Sequence, residues 1–288
     1  MTGARDIALT GYVLRVVRRP WPWVLRYLLA TVPALVLAPL IALPLRSWFR
    51  LPLLVEALNT RSLDLLIEVL VHPPAGTSLA PWLVLALLLA FLLWAIVGLL
   101  VLWTEGGVLA SYVGPVRLSW REFVGASTRW FGSFLVLALL GGGLTVDCVG
   151  GIAGLAWLAQ TVSRPVGIVV SVIGLAAAGV VRVEMQMARA CVVVGEDRNV
   201  LRALREAWHT MLRRPLPLLA LVIGALALRG LLAYGSGALI AHVPLSWWLL
   251  SLVIQQPVQM LVVGIGLARR AGEIGIAAAV LVQDAADG

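Results

Sequence analysis

The chain has 288 residues, 61% of them hydrophobic and 12% charged, with a mean hydropathy of +0.99. A soluble domain of this length carries about 25% charged residues, so an ordinary water-soluble globule is excluded. The formal charge of +8 comes from 22 basic residues, all of them arginine. They cluster beside apolar runs, which points to anionic headgroups as partners and away from nucleic acid.

In chain order, a basic amphipathic segment comes first, with Leu9, Tyr12, Val13 and Val16 on one side. Apolar runs then predict six spans near 27–45, 79–103, 131–159, 165–187, 215–241 and 246–268. Roughly 20 apolar residues suffice to cross a bilayer, and Leu79–Trp103 carries no charge in 25 residues. The N-terminus does not read as a cleavable signal. Its basic region extends to Arg26, and Pro33, Pro39 and Pro44 follow without a small-residue cleavage site. The connection 46–78 reads as a broken amphipathic helix on the outer leaflet, with Glu56, Asp64 and Glu68 opposite leucines.

Ser119 with Glu122 three residues on fits a capping box, opening a second amphipathic helix with Trp120, Phe123, Val124 and Phe131 on its apolar face. The third span is too long for one perpendicular helix, so it tilts, bends at Gly141, Gly142 and Gly143, or ends early, and sequence does not choose among these. A third amphipathic helix starts at Val200, capped by Asp197 or Asn199. Its apolar face is Val200, Leu201, Leu204, Ala207, Trp208, Met211 and Leu212, opposed by Arg198, Arg202, Arg205, Glu206 and His209. After the sixth span a short cytoplasmic tail is expected over 271–288.

Arginine sets the orientation. With the N-terminus inside, 17 arginines fall in inner segments, and four (Arg46, Arg50, Arg61 and Arg164) fall in outer ones. That split predicts a multi-pass cell-membrane protein with both termini cytoplasmic. Trp21, Trp23, Trp103 and Trp130 at inner boundaries, with Trp48, Trp82, Trp157, Trp247 and Trp248 at outer ones, fit an aromatic belt. The fold class is therefore all-α: one polytopic helix bundle over 1–270 with interfacial helices.

Each amphipathic helix leads into a span and is followed by a returning span, which predicts three repeats at 5–103, 104–187 and 188–270. Val16-Val17-Arg18-Arg19-Pro20-Trp21-Pro22 matches Met211-Leu212-Arg213-Arg214-Pro215-Leu216-Pro217, and the second unit has Arg129-Trp130-Phe131 without the proline.

Two polar sets stand out, because ionisable groups in spans default to functional hypotheses. Asp147, Arg229, Gln255 and Gln256 fall in the outer half, as a structural ion pair beside the Pro257 kink, with Asp147 in an outer loop instead, or as a solute-binding cavity. Glu105, Arg182, Glu184, Gln186 and Arg189 lie at the inner ends of spans two and four, where salt bridges are the main expectation. Cys148 and Cys191 fall near opposite faces, and His72, His209 and His242 are widely separated, so no disulfide, metal site or cofactor is expected. Gly235-Ser236-Gly237 lacks a second-helix base, and Gly141–Gly143 lacks the lysine and strand of a phosphate loop. A membrane-embedded enzyme ranks third among the readings, because no nucleophile–base pair or metal cluster stands out.

The segment Glu196–Trp208, entered from a long apolar span and followed by Arg-Arg-Pro and another span, resembles a loose group of uncharacterised bacterial six-span membrane proteins. The group includes the membrane domain attached to some glycerophosphodiester phosphodiesterases. Thr104-Glu105-Gly106-Gly107 through Trp120-Arg121-Glu122-Phe123 looks similar in the same way. The resemblance implies fold and location, and carries over no hydrolase residues. The expected function is a non-catalytic membrane module organising lipid or a partner protein. The alternative is a small-solute transporter or channel using the Asp147 and Arg229 set.

Overall fold

A computed structural model describes residues 3–48, 80–114, 117–243 and 248–287. Among them the chain is all-helical: α1 (Gly3–Arg18), α2 (Pro20–Trp48), α3 (Ala80–Val113), α4 (Trp120–Val162), α5 (Arg164–Val194), α6 (Val200–Arg213), α7 (Pro215–Ala241) and α8 (Trp248–Asp287). Four stretches are long and apolar enough to cross a membrane: Leu88–Val113, Trp120–Val146, Pro165–Val194 and Pro215–Ile240. The chain is thus a helical, membrane-type protein. The expected outer-leaflet helix lies mostly outside the described residues.

Local chemistry explains where the helices begin and end. Ser119 and Glu122 form the expected box: the Ser119 backbone N–H and hydroxyl donate to the Glu122 carboxylate at 2.7 and 2.8 Å, and Ser119 Oγ accepts from the Glu122 N–H. Proline sets two joints. A proline disfavours helical backbone in the residue before it, so α1 and α6 stop short of Pro20 and Pro215, leaving one arginine, Arg19 or Arg214, between helices. The corresponding Arg129 joint has no proline. There α4 runs through as one helix of 43 residues, about 64 Å long, with no break at Gly141–Gly143.

The turn between α5 and α6 is held by its own side chains. Asn199 is the cap, its Oδ1 accepting from the N–H groups of Leu201 and Arg202 at 3.1 and 3.3 Å. Asp197 instead accepts from the Asn199 N–H at 2.9 Å. That N–H, with the Arg202 guanidinium, holds the Asp197 carboxyl below the usual carboxylate range. Replacing Asn199 with alanine should therefore lower stability by about 1 kcal/mol. A thermal-unfolding midpoint unchanged in Asn199→Ala would refute this role for the cap.

Two compact units are present, Leu28–Val101 and the remainder, Met1–Tyr27 with Leu102–Gly288. In the larger unit burial is concentrated at one end of the helices. The core gathers Val108 and Tyr112 of α3, Phe134 and Leu137 of α4, Met187 and Val192 of α5, and Leu267, Ile274 and Ala277 of α8. The other halves of α5 and α7 expose Val172, Ile173, Leu175, Leu228, Leu231 and Leu239, as helices facing lipid do. The stretch expected as a tail is part of α8 as far as Asp287, and its Ala271, Glu273, Ile274, Ile276 and Val280 are buried. Tyr12 of α1 lies against Gly275 of the same stretch.

Candidate polar site at the arginine-rich end

Within that core sits a buried ionic cluster. Glu105 of α3 is 3% exposed, and one carboxylate oxygen receives both the Arg26 guanidinium of α2 and the Arg270 guanidinium of α8, the latter at 2.7 Å. Arg189 of α5 adds a third positive charge close to the same carboxylate. Three helices therefore aim arginines at one acid. One turn further along α8, Arg269 and Glu273 pair at 3.2 Å. Burial pushes the Glu273 carboxyl up, to about 7, against the pull of Arg269 and Arg270. Four arginines face two acids here; Nε of Arg26 and Arg189 has no hydrogen-bond partner among the described residues, and Arg269 meets Glu273 through its Nε as an ion pair. Such a cluster tightly specifies how α2, α3 and α8 meet, since removing a partner strands a charge away from water.

Glycines let α3 approach. A methyl group on Gly106 would fall 2.9 Å from the Ala126 carbonyl oxygen of α4, and one on Gly107 would fall 2.7 Å from the Phe123 ring. The expected inner set is thus partly assembled and partly not. Glu105 and Arg189 come together, but their company is Arg26, Arg270, Arg269 and Glu273, which the inner set did not include. Arg182 is exposed, and Glu184 is half-buried without an ion-pair partner among the described residues. The signal available in sequence was the pair Arg269-Arg270 with Glu273 one turn on, inside an otherwise apolar helix.

Arg15 of α1 and Arg19 at the α1–α2 joint have a second use beyond marking the inner face. Arg15 donates to the carbonyls of Tyr112 and Val113 at 2.6 and 3.0 Å, and Arg19 donates to that of Ser111. These are carbonyls of the last turn of α3, which lack partners in their own helix and carry the negative end of its dipole.

Three members of the expected outer set, Arg229, Gln255 and Gln256, have side chains among the described residues. Arg229 of α7 donates to the Val262 carbonyl of α8 at 3.2 Å, and its guanidinium lies against Gly266, where a Cβ would collide with it. Among the described residues, the charged groups acting on it are Arg269, Arg270 and Arg182, all positive. Gln256 accepts from the Tyr27 hydroxyl at 2.6 Å, while Gln255 is exposed. Asp147 belongs to α4, and its side chain lies outside the described residues.

On α6 the apolar face foreseen from sequence divides in two. Ala203, Ala207 and Thr210 are buried, with Val200, Leu204 and Met211 packed against the core. Leu201, Trp208 and Leu212 form an apolar flank that is 75%, 48% and 63% exposed. No group of three or more His, Cys, Asp or Glu capable of holding a metal occurs among the described residues. No known protein family, curated protein or solved structure matches this chain.

Proposed function

We propose that the protein is a non-catalytic six-span module of the cell membrane that organises anionic lipid of the inner leaflet around basic amphipathic helices. Spans one and six are the apolar parts of α2 and α8, and the termini are cytoplasmic. The three hairpin units and the likeness to bacterial six-span membrane proteins belong to this reading. The observation that carries it is the three-sided character of α6. One side packs on the protein, the Leu201, Trp208 and Leu212 flank is bare, and Arg202 and Arg205 lie beyond that flank. A helix with an uncovered apolar strip beside cations suits an interface where acyl chains meet phosphates. Leu14, Val17 and Trp21, exposed along α1 and the start of α2, present a similar strip.

Two measurements test this in the full-length protein within anionic vesicles. A nitroxide at position 208 should be more accessible to oxygen than to a nickel chelate, and one at 205 the reverse. Water-type accessibility at 208 would remove the interfacial role. Single cysteines at Ser62 and Ser163 should label from outside and one at Ser119 from inside, in a background lacking Cys148 and Cys191. External labelling at Ser119 would invert the topology.

A further inference from the structure

We propose that the groove bounded by α5, α7 and Arg269 of α8 is a binding site for one anionic phospholipid, its phosphate held by Arg182, Arg229 and Arg269 and an acyl chain lying along the apolar wall. The groove encloses about 660 Å³ and is lined by those three arginines together with leucines 175, 219 and 226. Its charge and its shape each point to this occupant.

The charge is one-sided. Arg229 donates one N–H to the Val262 carbonyl, its Nε is buried without a hydrogen-bond partner among the described residues, and the charged groups near it among those residues are arginines. Arg182 is exposed, with no partner among the described residues. Among the described residues, Arg269 alone of the three has an acid, Glu273 at 3.2 Å. Guanidinium groups held this way in an apolar setting require an acceptor, and a phosphate matches their paired N–H geometry. The remaining wall is hydrocarbon, and Leu175, Leu219 and Leu226 are exposed along it. A free inorganic anion would leave that wall uncovered, whereas a lipid meets both halves. Gly266 fits the same arrangement, because any larger residue would displace the Arg229 guanidinium. The inference rests on the reading of the chain as a module facing anionic lipid, and it adds a single defined site to that broad surface.

The test uses full-length protein, stripped of lipid in neutral detergent, followed by native mass spectrometry and thermal unfolding. Phosphatidylglycerol should bind saturably at one per chain and raise the unfolding midpoint. Phosphatidylcholine with the same acyl chains, and inorganic phosphate, should do neither. Arg182→Gln, a change at an exposed position, should weaken phosphatidylglycerol binding about tenfold, as expected for losing one hydrogen bond to a charged group. Gly179→Trp should block the groove while leaving all three arginines in the sequence, because a Cβ there meets open space. Arg205→Gln on α6 should leave binding unchanged.

Equal stabilisation by phosphatidylcholine, or by inorganic phosphate, would overturn the proposal. So would wild-type binding of phosphatidylglycerol by Arg182→Gln, or equal losses in Arg182→Gln and Arg205→Gln. If Gly179→Trp does not fold, Arg182→Gln decides alone. Failure here is separable from failure of the interfacial reading, since the nitroxide accessibilities at 208 and 205 do not depend on the groove.

Discussion

Replacing Glu105 with leucine should destabilise the protein by about 3–5 kcal/mol, the range for breaking a buried ion pair from one side. The carboxylate is the shared acceptor of Arg26 and Arg270, and Arg26 is itself buried. Neither arginine readily sheds its proton. Leucine would fill much of the volume, so the loss would report the stranded charges and not a cavity. Arg26→Leu alone should also be destabilising, for the opposite reason: it leaves Glu105 with fewer donors. The double variant should be more stable than the sum of the two losses predicts, because the charges leave together. Chemical unfolding of the four proteins in one detergent closes the double-mutant cycle. Additive losses would mean that Glu105 and Arg26 are not coupled, and the cluster would then not hold α2 to α3.

The second large effect is expected at the α3–α4 contact. Gly106→Ala should destabilise by about 1–3 kcal/mol, as overpacking does in a filled core. The added methyl meets the Ala126 carbonyl oxygen, part of a helix backbone that cannot rotate aside. Gly107→Ala meets the Phe123 ring and the Ser127 hydroxyl and should be comparable. Gly125→Ala on α4 is the control. A Cβ there meets nothing within 4 Å, so the variant should be neutral or more stable by up to about 1 kcal/mol through helix propensity. If all three behave alike, the close approach of α3 to α4 is wrong.

Sequence by itself determined the parts of this protein whose causes are local. Apolar runs produced long helices, the Ser119–Glu122 box and Asn199 started α4 and α6, and the prolines at 20 and 215 made two alike joints. All of these interactions act within about one helical turn, so spacing along the chain reveals them. The absence of a proline after Arg129 is equally local, and it explains why α4 runs through where α1 and α6 stop. Tertiary structure alone decided which polar groups meet. Arg26 lies 79 residues from Glu105, and Arg270 lies 165, while Arg229 turned towards Val262 and the other arginines. It also decided that the core gathers at one end and that 271–287 packs as helix. The physical reason is that lipid and a neighbouring helix are both apolar, so hydrophobic patterning does not distinguish the side facing either. Partner choice then rests on close approach at glycines such as Gly106 and Gly266, and on the reach of long arginine side chains from one helix to the next.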